Sequence, residues 1–165
     1  MDNLKEELPN SFLLRSVYIR SSEYKMDEKF DPLLPNQKLI GFNNFEHGQI
    51  KNQQAQLELN GKTEILNSCL ITMKFNFGYK LSTNEQSLEN VPFIASIAAE
   101  IAADYQVAES TFPKQEIIDQ WAKSNFLIHV WPYWREYCQN TLMRMNLPVT
   151  LMPMLTLDNS QKAIS

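Results

Sequence analysis

The pattern that most restricts the fold of this chain lies between residues 68 and 81. There Cys69, Ile71, Met73, Phe75, Phe77, Tyr79 and Leu81 alternate with Ser68, Thr72, Lys74, Asn76 and Lys80. A period of two puts successive side chains on opposite faces of an extended backbone, so the segment reads as a β-strand with one apolar and one mostly polar face. Such a strand needs a sheet around it and an apolar layer over one side.

The flanking sequence supplies both. The run Phe12-Leu13-Leu14-Arg15-Ser16-Val17-Tyr18-Ile19-Arg20 is rich in aromatic and β-branched residues and reads as a first strand over 11–24. In Phe30-Asp31-Pro32-Leu33-Leu34-Pro35-Asn36 two prolines remove backbone donors, so it reads as a crossover loop carrying exposed apolar groups. A second strand is predicted where Ala55, Leu57 and Leu59 alternate with Gln54, Gln56 and Glu58, closed by Asn60-Gly61, residues suited to a type I′ turn. That turn sets Leu57 against Glu64 and Leu59 against Lys62, out of phase with the apolar face further along. A bulge near Asn67 or a longer turn would restore register. Phe93, Ala95, Ile97, Ala99, Ile101, Ala103, Tyr105 and Val107 alternate with a face holding Ser96, Glu100, Asp104 and Gln106, which predicts a fourth strand. The alanines, and Ile94, Ile97, Ile101 and Tyr105, also suit a helix.

From Pro113 onward Ile117, Trp121, Ile128, Trp131, Cys138, Leu142 and Met145 recur at helical spacing until Asn146. The middle of this helix, Phe126 to Trp134, is apolar on nearly every side, so a second apolar surface besides one sheet face is expected. Pro132 removes one hydrogen bond and crowds the carbonyl of Ile128, which predicts a kink or a division there. Residues 147–157 hold too many prolines for a helix and read as an extended strap. The last residues, from Asp158, read as a frayed tail.

Composition narrows the function. A chain of 165 residues suits one domain, here 1–165 with 1–10 and 158–165 as tails, and buries roughly 70% of its unfolded surface. With 15 basic against 19 acidic residues it lacks the basic surface of a phosphate-backbone binder, so no nucleic-acid partner is expected. No apolar tract approaches the roughly 20 residues of a membrane helix, and no membrane association is expected. The N-terminus has no stretch of signal-peptide character, which points to a cytoplasmic protein. Cys69 and Cys138 both sit in apolar patterns and read as buried, unpaired thiols.

Catalysis finds little support. His47 and His129 are the only imidazoles; His129 lies among Ile128, Val130 and Trp131 and reads as packed, while His47 falls in a polar loop without a patterned partner. No metal-ligand spacing and no glycine-rich loop occur, so no metal, nucleotide or other cofactor is expected, and the chain does not read as an enzyme. The rival reading is a small-ligand enzyme or carrier in which Glu100, Asp104 or His129 serves the substrate. The many aromatic and methionine residues read mostly as core. Phe30, Leu33 and Leu34 differ, because apolar groups in a proline-broken loop mark a binding surface.

Trp131-Pro132-Tyr133-Trp134-Arg135-Glu136, followed by Leu147-Pro148 and Leu151-Met152-Pro153, resembles the SecB family of protein-export chaperones over roughly residues 12 to 157. The resemblance implies an α+β fold, a four-stranded antiparallel sheet packed with a long, proline-kinked C-terminal helix. It implies helix-to-helix dimers paired into a homotetramer, with Ile128, Trp131, Tyr133, Trp134 and Cys138 at the interface and Pro132, Arg135 and Glu136 as structural motif. Client polypeptide would lie in apolar grooves between crossover loop, sheet and helix, at Phe30, Leu33, Leu34, Trp121 and Phe126. Exporting members continue into a second helix and a tail that contacts the SecA motor, and dock SecA on a strongly acidic sheet face. This chain ends soon after Leu157 and is only slightly acidic, so delivery to SecA in protein transport is the lesser expectation. SecB-like chaperones also guard aggregation-prone antitoxins in toxin–antitoxin systems, and that role is the leading one.

Overall fold

In the computed structural model, residues 12–34, 37–82, 88–108, 112–150 and 152 are described. They form strands β1 (Phe12–Met26), β2 (Leu39–Leu59), β3 (Lys62–Leu81) and β4 (Ala95–Val107), then helix α1 (Gln115–Arg144). The strands make one antiparallel sheet in the order β1-β4-β3-β2, with α1 across one face. The expected tails, 1–10 and 158–165, lie outside the described residues.

The alternation of β3 and β4 builds the core. Cys69, Ile71, Met73, Phe75, Phe77 and Tyr79 are buried, as are Ala95, Ile97, Ala99, Ile101, Ala103, Tyr105 and Val107. Register sets large against small: Phe75 opposite Ala99, Ile71 opposite Ala103, Tyr79 opposite Ala95. Bulk on one strand thus fills the room left by alanine on the next, as close packing requires. The alanines of β4 therefore serve a strand, not the helix that their intrinsic preference favours.

Strand β2 corrects the sequence reading most. It begins at Leu39, so His47, expected in a loop, is a strand residue paired with Met73. The two-residue turn does pair Leu57 with Glu64 and Leu59 with Lys62, with Asn60 and Gly61 at φ 52° and 75°. No bulge occurs near Asn67; the shift lies between His47 and Ile50 on β2. Beyond Asn67, which pairs with Val107 at the end of β4, the hairpin continues as a two-stranded ribbon. Leu57 and Ile65 are exposed there, so the ribbon's alternation never had to match the core face.

Helix α1 runs unbroken through Pro132, which faces outward, so the expected division does not occur. Val130, Trp131 and Trp134, on either side of the proline, are all buried and hold both halves on the sheet. At the C-terminus Asn146 adopts φ 55°, and Leu147 N–H donates to the Leu142 carbonyl at 2.9 Å, closing the last turn. Leu147 and Met152 are buried, and the Tyr79 hydroxyl donates to the Pro148 carbonyl at 2.6 Å and also contacts Thr150 Oγ1. This ties the described part of the strap across the sheet.

The all-round apolarity of the helix middle is met largely within the chain. Trp131, Trp134 and Cys138, placed by the resemblance at an oligomer seam, are 5%, 0% and 0% exposed. Phe75 stacks on Trp134 with ring centroids 5.3 Å apart, and Trp134 Nε1–H donates to Asn43 Oδ1 at 2.9 Å. Of the five seam residues only Tyr133 stays exposed, with Ile128 partly so.

Candidate functional site

The loop after β1 is shaped by two aspartates. Asp27 Oδ1 accepts from Lys29 N–H at 2.8 Å, Asp31 Oδ1 accepts from Leu33 N–H at 2.9 Å, and both aspartate carbonyls close turns. Gln37 Nε2 then donates to the Asp31 and Leu34 carbonyls, at 2.7 and 3.1 Å. The result folds Phe30 onto the core and leaves Leu33 76% and Leu34 57% exposed. Two adjacent leucines held outward by ordered turns are a preformed apolar contact point.

Trp121 and Phe126 sit elsewhere. Trp121 is closed in by Phe12, stacked at 4.4 Å, and by Tyr105, edge-on at 4.7 Å. The Tyr105 hydroxyl lies 3.0 Å from His129 Nδ1. Phe126 is 1% exposed and lines a cleft of about 170 Å³ with Ile50, Ile71, Met73 and Ala122, rimmed by His47, Asp119 and Lys123. The loop leaves the sheet at Asp27, whose N–H bonds the Ile94 carbonyl just before β4, whereas Trp121 packs on Tyr105 near the far end of that strand. The five residues named from the resemblance therefore differ in setting: Leu33 and Leu34 are exposed on the loop, Phe30 packs on the core, Phe126 lines the cleft and Trp121 is buried.

The cleft lies along β2, which pairs only with β3 among the described residues, where the bulge sits. Gln49 N–H donates to Thr72 Oγ1 at 2.9 Å in place of a ladder bond. A Cβ on Gly48 would lie 2.3 Å from Thr72 Oγ1 and 2.5 Å from its carbonyl oxygen, so only glycine allows this approach. Sequence reading missed this edge because Asn43, Asn44, Glu46, Gln49 and Lys51 interrupt its apolar residues.

Strand β1 forms the other edge. Leu13, Leu14, Tyr18, Ile19, Tyr24 and Met26 are all exposed on it. Next to it a cavity of about 250 Å³ is lined by Tyr18, Ile19, Tyr133, Glu136, Tyr137 and Arg144. Arg135, next to Glu136 in the helix motif, keeps Nε buried without a hydrogen-bond partner among the described residues.

The shifted titrations all trace to burial. Burial pushes the Cys69 thiol up to about 12, with Asp104 and Asp119 adding to the rise, and burial does the same to Cys138. Both thiols stay protonated and unreactive. Burial lowers the pKa of His129 and raises that of Tyr105, so the hydroxyl keeps its proton, and the tautomer of the ring sets which of the two donates. Among the described residues no group of His, Cys, Asp or Glu is placed to hold a metal. None of their helices is long and apolar enough to cross a membrane. The sheet face turned away from α1 compensates its own charge: Lys74 pairs across the ladder with Glu46 and Glu100, Arg20 Nη1 is 3.3 Å from Glu100, and Arg15 Nη1 is 3.6 Å from Asp104.

An antiparallel four-stranded sheet with one long helix across it matches a SecB-like fold. The chain is similar in structure to the Mycobacterium tuberculosis Rv1957 SecB-like chaperone, solved in complex with a ChAD peptide from the Rv1956 HigA1 antitoxin. The TM-score is 0.65 at 16% identity, covering 88% of this chain and 91% of that one. The resemblance read from the hexapeptide is thus borne out at the level of the fold. No protein-family model and no curated protein matches the chain.

Proposed function

We propose that this protein is an ATP-independent holding chaperone for non-native polypeptide, serving an antitoxin of a toxin–antitoxin pair. The observation that carries the reading is the SecB-like fold over 88% of the chain, shared with a chaperone solved on an antitoxin peptide. The surface fits. Leu33 and Leu34 offer side-chain contact, and the β2 edge beside the Phe126 cleft, paired on one side only among the described residues, offers a backbone ladder to an extended segment. Each Å² of apolar client surface covered contributes roughly 25 cal/mol before ordering costs, and no nucleotide chemistry is needed. The self-compensated outer sheet face favours this role over delivery to SecA, which the family docks through an acidic face.

Self-association belongs to the same proposal, as a homotetramer built from dimers. The β1 edge, with its row of exposed apolar residues, supplies the dimer contact, because an uncovered apolar edge strand would template aggregation. Tyr133, Ile128 and Met143 remain outward on α1 for a second contact.

The test is aggregation of a chemically unfolded client with and without the protein. Suppression at a few-fold excess, lost on Leu33→Ser with Leu34→Ser, is the expected result. No suppression by the unaltered protein rejects the reading. Recovery of an antitoxin with the purified protein would establish the narrower role.

A further inference from the structure

The sheet face turned away from α1 is not uniformly polar. Phe42 and Phe93 meet edge to face there, ring centroids 6.0 Å apart, and remain 36% and 49% exposed. Lys80 Nζ lies 5.2 and 4.8 Å from the two centroids. Phe42 stands opposite Gly78 in the β2–β3 register, and Gly78 opposite Ser96 in β4. A Cβ on Gly78 would meet Phe93 Cδ1 at 2.5 Å, so Phe93 lies directly on the glycine backbone.

Small side chains next to this pair open a trench. Ser96 and Ala98 from β4, with Asn44 and Asn76 from β2 and β3, line a cavity of about 450 Å³ that Phe42 and Phe93 close at one end. It is larger than the Phe126 cleft, at about 170 Å³. Shielding Gly78 accounts for the rings' contact with the strand, and leaves their outer faces and the trench beside them open.

We infer that this trench is a second polypeptide subsite, occupied by a client segment that passes round the β2 edge from the Phe126 cleft. The inference rests on the holding function proposed above. Its occupant follows from chemistry and placement. The Asn44 and Asn76 amides both donate and accept, which suits a peptide backbone, and the paired rings suit an aliphatic or aromatic side chain. Glu23 at the trench is 3.2 Å from Lys25, and Lys74 faces Glu46 and Glu100 across the ladder, so the acidic groups are compensated and a basic partner gains little. The cleft opens at Ile50 and the trench at Phe42 on the same edge strand, eight residues or about 25 Å apart. One extended client can therefore reach both, and the second contact acts at high effective concentration.

The test places the photo-crosslinker p-benzoylphenylalanine at position 93, and separately at position 33, in the full chain mixed with an unfolded client longer than 20 residues. Client labelling from both positions is expected. Labelling from 33 but not from 93 overturns the trench and leaves the holding function standing, as does labelling from 93 of a second copy of this chain alone. Absence of client binding by the unaltered protein removes both. In titration with the same client, Phe42→Ser with Phe93→Ser is expected to weaken binding about tenfold, and unchanged affinity overturns the inference.

Discussion

The Tyr105 hydroxyl and His129 Nδ1 meet at 3.0 Å between sheet and helix, within the aromatic group that also holds Trp121. Burial lowers the His129 pKa below its unfolded value of 6.5, so the unfolded chain takes up the proton first as pH falls. Stability from this site is fully present above pH 6.5 and is lost as pH drops through the folded value. Urea midpoints of the parent and His129→Gln should therefore converge or cross between pH 7.5 and 5.5. Parallel midpoints over that range would rule the linkage out.

Two glycines on the sheet answer differently to the same substitution. Gly48→Ala drives a methyl group into the Thr72 backbone carbonyl at 2.5 Å, and we expect a loss of about 1–3 kcal/mol in denaturant unfolding. Gly78→Ala meets the Phe93 side chain at 2.5 Å, which Phe93→Ser removes. Partial recovery in the double variant at 78 and 93 is the expected outcome. The same recovery from Thr72→Ala in the Gly48 variant is not expected, because the backbone clash persists.

Client contact and stability should separate along the chain. Leu33→Ser and Leu34→Ser remove exposed groups, so the unfolding free energy should move by no more than about 0.5 kcal/mol while holding activity falls. Phe126→Ala and Trp121→Ala empty core positions and should cost about 3–5 kcal/mol. Loss of stability by the loop variants would contradict the outward placement of those leucines.

Assembly through the β1 edge, as proposed, can be tested by charge. Tyr24→Lys and Ile19→Lys put charge on an exposed edge strand and should move the protein to a smaller species in light scattering at micromolar concentration. Tyr133→Lys tests the helix contact separately. An unaltered protein that is already monomeric would refute assembly altogether.

The thiols provide a probe of the core. Cys69 and Cys138 are fully buried with pKa raised to about 12, so a thiol reagent at pH 8 should modify neither until the protein unfolds. Rapid labelling in native buffer would show that the helix leaves the sheet.

What could be read from residue order alone was whatever a single face dictates. The alternation from Cys69 to Leu81 and from Ala95 to Val107 named the two central strands and their buried sides, since each side chain there meets the same layer. The spacing from Ile117 to Met145 named the helix for the same reason, and Asn60-Gly61 named its turn. The hexapeptide at Trp131 to Glu136 pointed to the fold. Tertiary structure decided the rest, because it depends on what lies opposite. Strand β2 is an edge whose polar residues satisfy a ladder on one side and water on the other, which leaves little apolar period to read. The curved pairing of four strands covers Trp131, Trp134 and Cys138 within one chain, although the helix sequence alone asked for a second surface. Only the register that sets Phe42 opposite Gly78, under Phe93, brings these three residues, scattered over some fifty positions, together at one end of the trench.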